Sequence, residues 1–211
     1  MVRIGIVDDH HIVRTGLRQF LSEQGDLQVT GEATNGRQAL DLARAGAIDV
    51  LLLDLALPDG SGVETLAAIR ARWPDLPVLI LSAYPEARYA RTLLKNGARA
   101  FLNKECDPEE IVRAIRALAQ GRRYVSAAVA EQLAANIGEP EAEQAPHEQL
   151  SVRELQVFLR LAQGEAAGHV AEGLSLSVKT VSTYRARVLQ KLELSTNSDL
   201  TYYALKNGLI H

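Results

Sequence analysis

The sequence predicts an α/β domain with a doubly wound, five-stranded parallel sheet, followed by a small all-α domain. Three observations predict this division. Five short runs rich in Val, Ile and Leu recur through residues 1–125, separated by stretches with helical spacing. Residues 126–148 contain five Glu and no Lys or Arg, which is typical of a solvated linker. Residues 149–211 show helical patterns alone. We therefore expect a first domain over 1–125, a helical extension and acidic linker over 126–148, and a second domain over 149–211.

The five apolar runs are the predicted strands. Most of them do not alternate between apolar and polar residues, as is usual for strands buried on both faces. They occupy residues 3–7, 27–33, 49–53, 77–82 and 98–102. Strands that alternate with helices form βαβ units, whose right-handed crossovers make the sheet parallel.

Helix signals in the first domain are clearest in three segments. Apolar residues recur with helical spacing over 12–21 and 63–73. The third segment begins with Asp107, a good N-cap residue, and Pro108 at the first helical position. It closes at Gly121, as helices often do.

The second domain is predicted to contain four short helices. The first begins with a capping-box pattern, Ser151 followed three residues later by Glu154. The second covers about 168–174. Ser177 is the expected N-cap of the third and longest helix, and residues 196–210 supply the fourth.

The third helix of this domain has two different faces. Val181, Val188 and Leu192 fall on one side at the helical period, so we expect them in the core. From residue 179 to residue 191 there are four basic residues and no acid. An exposed helix of this kind fits the major groove of DNA, although an ordinary solvated face is the alternative. The opposite side carries Lys179, Ser182, Thr183, Ala186, Arg187 and Gln190.

Polar residues gather where the predicted strands of the first domain end. Asp8 and Asp9 follow the first strand, Asp54 ends the third, Ser82 ends the fourth, and Lys104 follows the fifth. In such sheets ligands bind at the carboxyl ends of the strands. Three carboxylates together are costly without a cation, and Mg²⁺ prefers carboxylate and carbonyl oxygens. The pattern predicts a site that holds a phosphoryl group on a carboxylate, although each residue could be an ordinary strand-end residue, with Asp54 capping the next turn.

Composition restricts the class of protein. Among 211 residues there is one cysteine, Cys106, so an intramolecular disulfide framework is excluded and this thiol is interpreted as structural or incidental. No apolar run approaches the roughly 20 residues of a membrane helix, and the N-terminus lacks the pattern of a signal peptide. We expect a cytoplasmic protein without a membrane partner. His10 and His11 are interpreted as ordinary residues that open the first helix.

The first domain resembles a known family in four motifs. "IVDDH", "LLLDLALPDGSG", "LSA" and "AFLNK" are similar to the receiver domain of two-component response regulators, across roughly the first 125 residues. The resemblance implies a flavodoxin-like fold in which Asp54 is the phospho-acceptor. It also implies that Ser82 and Lys104 grip the phosphoryl oxygens, and that Phe101 is an aromatic switch that turns inward on phosphorylation. Tyr84 would line the same pocket. The implied Mg²⁺ ligands are Asp8, Asp9, Asp54 and the carbonyl of Ala56.

The second domain resembles the LuxR-type helix-turn-helix domain in "LSVRELQVFLRLAQG" and "LSLSVKTVSTYRARVLQKLEL". A receiver joined to such a domain is the layout of the NarL/FixJ class of response regulators. The resemblance implies that Ser182 and Thr183 face DNA bases and that a last helix makes the dimer contact. Residues implied to face the DNA backbone are Lys179, Thr180, Tyr184 and Arg185, with Arg187 on the same outer face. Residues implied in the dimer contact are Leu200, Tyr203 and Ala204.

The function that these resemblances imply is a phosphorylation-controlled, DNA-binding transcription regulator. A sensor histidine kinase would supply the phosphoryl group to Asp54, and phosphorylation would promote homodimerisation, binding to a double-stranded operator and contact with RNA polymerase. The chain would not be an enzyme beyond its own phosphoryl transfer and slow autodephosphorylation. Two alternatives stay open. A Mg²⁺-dependent aspartyl-phosphate phosphatase needs a second aspartate two residues after the nucleophile, where this chain has Ala56. A regulator that works without phosphate would not need the complete acid pocket.

Overall fold

The structure, a computed structural model, describes residues 1–83, 86–135, 145–174 and 176–210. The chain forms two compact units, Met1–Ala135 and Asn136–His211. Tyr84 and residues 136–144 of the predicted linker lie outside the described residues. In the described part of the chain, no helix is both long and apolar enough to cross a bilayer.

The first unit alternates strands and helices along the chain. Its elements are β1 (Val2–Val7), α1 (His11–Ser22), β2 (Leu27–Ala33), α2 (Gly36–Ala45), β3 (Val50–Leu53), β4 (Ala56–Leu57), β5 (Gly60–Ser61), α3 (Gly62–Arg72), β6 (Val78–Ser82), α4 (Glu86–Lys95), β7 (Ala100–Asn103), α5 (Pro108–Ala119) and α6 (Ala127–Ala135).

Five of these strands form one parallel sheet in the order β2-β1-β3-β6-β7. No two neighbours in this order are joined by a short turn, because each parallel pair needs a crossover connection. The order reverses between β1 and β3, which is the switch point of a doubly wound fold. The predicted five-stranded parallel sheet is confirmed.

The sheet is covered on both faces. One face packs against α1 and α5 in a core that includes Ile4, Leu52, Leu102, Leu21 and Ile115. Successive residues of a strand point to opposite faces, so the intervening residues of the central strands β3 and β6, which are also buried, lie on the face covered by α2, α3 and α4. Burial on both faces explains why the strands read as continuous apolar runs.

The predicted helix signals of the first unit are also found. The Asp107 side chain accepts a hydrogen bond from the backbone N–H of Glu109, and Pro108 opens α5. Gly121 follows the helix with a left-handed backbone (φ 74°). The short antiparallel pair β4–β5 has no counterpart in the predicted strands, because two-residue strands leave no periodic pattern.

The second unit contains a 3₁₀ helix (Pro146–Gln149) and four α-helices: α7 (Val152–Ala162), α8 (Ala167–Gly173), α9 (Val178–Leu192) and α10 (Asn197–Lys206). The capping box of Ser151 and Glu154 is present at the start of α7. Ser177 caps α9 by accepting from the backbone N–H of Thr180. The four predicted helices are therefore confirmed.

Candidate functional site

The strand register brings the predicted site residues of the first unit to one edge of the sheet. Val7 at the end of β1 pairs with Leu53 at the end of β3. Ser82 at the end of β6 pairs with Asn103 at the end of β7. The residues at or just beyond these ends are Asp8, Asp54, Ser82 and Lys104.

One ammonium group joins two buried carboxylates at this edge. The Nζ atom of Lys104 lies 2.6 Å from Oδ2 of Asp8 and 2.7 Å from Oδ2 of Asp54. Both aspartates are only 2% exposed. Since two carboxylates share a single cation, the local charge is not balanced by Lys104 alone, and a further positive charge would be stabilised here.

The pKa values of the pair reflect this imbalance. Burial raises the pKa of Asp54 above its ordinary value, the neighbouring charge of Asp8 acts in the same direction, and the opposing effect of Lys104 is too small to offset both. Burial acts to lower the pKa of Lys104, but its hydrogen bonds to Asp54 and Asp8 outweigh this and raise it. Lys104 is therefore charged at neutral pH and holds the two acids together.

The carboxylates can also hold a metal ion. Ligand atoms of Asp8, Asp9, His10 and Asp54 all lie within 4.8 Å of one another. Three carboxylates are the hard oxygen donors that suit Mg²⁺, so the residues present fit the ion that the sequence predicts. Asp9 is exposed at the rim while Asp8 and Asp54 lie beneath it. The backbone N–H of Ala56 donates to Oδ1 of Asp54 at 3.3 Å.

Two residues that support this edge were not found from the sequence. His10 stands at the start of α1 as expected, and its Nδ1 atom also lies 3.1 Å from Oδ1 of Asp8 and 2.9 Å from Oδ1 of Asp9. His11 begins α1 and is exposed, as expected. Arg14, which is 9% exposed, donates from Nη1 to the carbonyl oxygen of Asp8 at 2.7 Å. The one available signal was their position in the first turns after the strand.

A glycine, Gly62, allows the loop after Asp54 to return close to the backbone of Asp54. A Cβ atom on Gly62 would lie 2.1 Å from the carbonyl oxygen of Asp54 and 2.7 Å from Cα of Leu55. No side chain fits there without moving the backbone of Asp54. The sharp turn after the leucine-rich strand β3 therefore brings the chain back to the backbone of Asp54, and the lack of a side chain at Gly62 makes this close approach possible.

Ser82 and Phe101 are both buried in neighbouring strands, each 1% exposed. Lys104 donates its backbone N–H to the carbonyl oxygen of Ser82 at 2.9 Å, which ties the two predicted phosphoryl ligands together. The expectation that Phe101 turns inward on phosphorylation differs from the structure, in which its ring is already inside. A phenylalanine ring has no hydroxyl group to keep in water, so its burial needs no polar partner.

The second unit presents the predicted outer face of α9 to solvent. Lys179, Ser182, Thr183 and Arg187 are exposed, while Thr180, Tyr184 and Arg185 are partly exposed. The helix packs through its other side, where Val181, Val188, Leu189 and Leu192 are buried. A surface groove of about 280 Å³ follows the outer face and is lined by Lys179, Thr180, Thr183, Tyr184 and Arg187.

Contacts within α9, and one contact with α10, hold several of these side chains in place. The hydroxyl groups of Ser182 and Thr183 donate to carbonyl oxygens one turn earlier in the helix, each at 3.0 Å, which leaves their lone pairs directed to other donors. The guanidinium carbon of Arg187 lies 6.0 Å from the ring centroid of Tyr184. Arg185 donates from Nε to Oδ1 of Asn197 at 2.6 Å, a contact that fixes its orientation.

The predicted dimer residues of the last helix need correction. Leu200 and Ala204 are both 0% exposed and belong to the core of their own unit. Tyr203 is partly buried and packs edge-on against Phe158 of α7. The apolar face of α10 that carries these residues, which the resemblance assigned to a dimer contact, is the face by which α10 packs on α7. The large apolar side chains that α10 exposes are Tyr202, at 70%, and Leu205, at 52%.

Comparisons with known families match both units. Residues 4–116 match the family described as "Response regulator receiver domain", and residues 148–204 match "Bacterial regulatory proteins, luxR family". The chain is 36% identical over 209 residues to the response regulator UvrY of Escherichia coli O6:H1, covering 99% of this chain and 96% of the relative. It is 35% identical over 210 residues to the response regulator GacA of Pseudomonas aeruginosa, covering 100% and 98%.

Two solved structures are similar. A LuxR-family two-component response regulator from Aurantimonas sp. matches with a TM-score of 0.61 and 33% identity, covering 66% of this chain and 99% of the other. RcsB from Salmonella enterica serovar Typhimurium, bound to promoter rprA with the phosphomimetic BeF3-, matches with a TM-score of 0.67 and 24% identity, covering 96% and 98%. At this identity the second likeness shows the fold alone.

Proposed function

Because this chain belongs to the NarL/FixJ class of two-component response regulators, which act in transcription regulation through a LuxR-type DNA-binding domain, we propose that Asp54 is its phospho-acceptor. The observation that carries the proposal is the contact of Asp54 with Lys104 at 2.7 Å on the buried edge of the sheet. Asp8 shares the same ammonium, but Asp54 also accepts from the backbone N–H of Ala56, and Gly62 lies against its carbonyl oxygen.

The chemistry follows from these contacts. A carboxylate oxygen of Asp54 attacks the phosphorus atom of a phosphohistidine on a sensor histidine kinase. A new P–O bond forms, the P–N bond breaks, and the departing imidazole nitrogen takes a proton. Lys104 and the hydroxyl group of Ser82 stabilise the charge on the transferred oxygens.

The same edge supports a role for Mg²⁺. Asp8, Asp9, Asp54 and the carbonyl group of Ala56 would hold the ion, which supplies positive charge against the phosphoryl oxygens when bound. Ala56 places no carboxyl group near the acyl phosphate, so nothing at that position activates water. We therefore expect only slow autodephosphorylation, and we reject the phosphatase alternative.

The output of phosphorylation is proposed to be pairing of two chains and binding to a double-stranded operator. Lys179, Thr180, Tyr184, Arg185 and Arg187 would contact the DNA backbone, and Ser182 and Thr183 would read bases. Dimer contact would come from the exposed side of α10, where Tyr202 and Leu205 lie, rather than from its buried side. RNA polymerase is the further partner that such binding would bring to the promoter, and the protein would act in the cytoplasm.

The test compares three proteins for labelling by acetyl phosphate with Mg²⁺ and for operator binding. Wild type should be labelled and should bind more tightly after labelling. Asp54→Asn should lose both responses. Asp49→Asn is the matched control, because Asp49 pairs with Arg3 at an exposed position before β3, at the other end of the sheet, and it should behave as wild type. Full labelling of Asp54→Asn would overturn the acceptor assignment, and equal operator binding with and without label would favour the phosphate-independent regulator.

A further inference from the structure

Asp59 joins the loop after the acceptor to a different element of the sheet's outer layer. Its Oδ1 atom accepts from the backbone N–H of Gly36 at 2.8 Å, and its Oδ2 atom accepts from the backbone N–H of Arg37 at 3.0 Å. These are the first two amides of α2, which have no partner within the helix. Asp59 lies 22 or more residues away in sequence, so the contact is a tertiary clasp and not a local cap.

The helix does not depend on Asp59 alone. Asn35, its N-cap residue, accepts from the backbone N–H of Gln38 at 2.9 Å. The two side chains therefore divide the free amides of one helix terminus between them. Only one of the two, Asp59, connects this terminus to the acceptor loop, and this difference supplies a matched control.

The residues around the contact between Asp59 and α2 are closely packed. A Cβ atom on Gly36 would lie 2.4 Å from Oγ1 of Thr65 in α3 and 3.4 Å from Oδ1 of Asp59. The start of α2, the turn at Asp59 and the first turns of α3 thus meet without room for a larger residue. A carboxylate in this position also meets the positive end of the α2 dipole.

Both ends of the β4–β5 hairpin lie close to Asp54. Asp59 lies in the turn between β4 and β5, which pair antiparallel. At the start of this hairpin the backbone N–H of Ala56 lies 3.3 Å from Oδ1 of Asp54. At its end Gly62 packs against the carbonyl oxygen of Asp54. The position of the hairpin is therefore fixed at three points, two on the acceptor and one on α2.

We propose that Asp59 is a positioning residue, whose clasp on the first two amides of α2 holds the β4–β5 hairpin so that Ala56 is presented to the cation and the phosphoryl group. The inference rests on the proposed function of Asp54. Without the two hydrogen bonds to Asp59, the hairpin keeps its turn but is no longer attached to the start of α2. The backbone at Ala56 then samples positions that do not suit the metal.

The test uses the full chain and three variants: Asp59→Ala, Asp59→Asn and Asn35→Ala. Asn35→Ala removes a cap from the same helix without touching the hairpin. Three quantities are measured: thermal stability, the Mg²⁺ dissociation constant from an NMR titration, and hydrogen exchange of the hairpin amides in metal-free protein. Asp59→Ala should weaken Mg²⁺ binding about tenfold, as loss of a supporting partner of a metal ligand does, and should speed hairpin exchange. Asp59→Asn keeps the size but faces one N–H with an amide nitrogen, so an intermediate effect is expected.

Asn35→Ala should lower the unfolding temperature by about as much as Asp59→Ala does. It should leave the Mg²⁺ dissociation constant within about twofold of the wild-type value. Equal loss of Mg²⁺ affinity in Asn35→Ala and Asp59→Ala would overturn the inference, because the effect would then come from the helix. Unchanged affinity and exchange in Asp59→Ala would overturn it as well. If wild type bound Mg²⁺ but accepted no phosphoryl group, the proposed function would be wrong. The Mg²⁺ affinities and the hydrogen-exchange rates of the variants would still test whether Asp59 positions the hairpin.

Discussion

The Nζ atom of Lys104 lies 2.7 Å from Oδ2 of Asp54, and the same atom lies 2.6 Å from Asp8. This single ammonium contacts two buried acids at one edge of the sheet. The arrangement connects stability with phosphoryl chemistry, because any group that replaces Lys104 changes both.

Replacing Lys104 with methionine should destabilise the metal-free protein. The two carboxylates would lose their shared cation while remaining buried, and breaking a buried pair in this way costs about 3 kcal/mol or more. The free energy of unfolding, measured by urea titration in a chelator, checks this. Added Mg²⁺ should restore more stability to the variant than to wild type. Lys95→Met, at an exposed position of α4, is the control, and an equal loss in the two variants would contradict the role of the pair.

Replacing Gly62 with alanine should disturb the backbone at Asp54. The new Cβ atom would lie 2.1 Å from the carbonyl oxygen of Asp54, so the backbone must move, at a cost of roughly 1–3 kcal/mol. We expect a lower unfolding temperature and loss of labelling by acetyl phosphate. Gly16→Ala is the control, because nothing lies within 4 Å of its added atom and it lies in α1. That change should raise stability by about 0.5–1 kcal/mol. Normal labelling of Gly62→Ala would show that the close approach is not needed.

Lys179 and Thr183 should affect DNA binding in different ways. Both are exposed on α9, and Lys179 makes no ion pair with any residue of the described ranges. Lys179→Ala should weaken binding to all sequences and reduce the slope of log K against log salt by about 1. Thr183→Ala should leave that slope unchanged and alter the ratio of operator to scrambled DNA. Titrations at several salt concentrations measure both quantities, and an unchanged ratio for Thr183→Ala would argue against base contact.

Glu154 should make the second unit sensitive to acid. Burial acts to raise the pKa of Glu154, but hydrogen bonds from Lys191 and the backbone of Ser151, each at 2.7 Å, outweigh it and lower the pKa. A group whose pKa is lowered in the folded state adds stability above its unfolded pKa of about 4.3, and this is lost as pH falls through the folded pKa. Unfolding temperatures between pH 6 and pH 3 should fall more steeply in wild type than in Glu154→Gln. The exposed Glu172→Gln should follow wild type, and parallel curves for all three would contradict the prediction.

The sequence predicted those features that repeat along the chain or lie at the ends of predicted strands. Apolar runs located the sheet, and helical spacing located the buried and exposed faces of α9. Contacts between distant residues left no such pattern. The clasp of Asp59 on α2, the approach of Arg14 to the carbonyl of Asp8, and the β4–β5 hairpin depend on the folded chain.

The error on Leu200 and Ala204 has a related cause. Their role in a dimer contact came from the resemblance to the LuxR-type domain, and a resemblance in sequence does not say whether one face of a ten-residue helix packs on the same chain or on another. The packing of α10 on α7 decides this in favour of the same chain. Without the tertiary structure, the exposed Tyr202 and Leu205 could not be chosen instead.

The strand order β2-β1-β3-β6-β7 also has a consequence for how the chain acquires its structure. Every pair of neighbouring strands in the sheet is separated along the chain by at least one whole helix. Long loops must therefore close, at a cost in chain entropy, before the strand contacts of the first unit can form. The second unit consists of neighbouring helices with short connections. The sheet should therefore be the slow step of refolding. Until the sheet forms, its unpaired apolar strands are also the segments most prone to aggregation. The first unit should therefore determine the yield of folded protein.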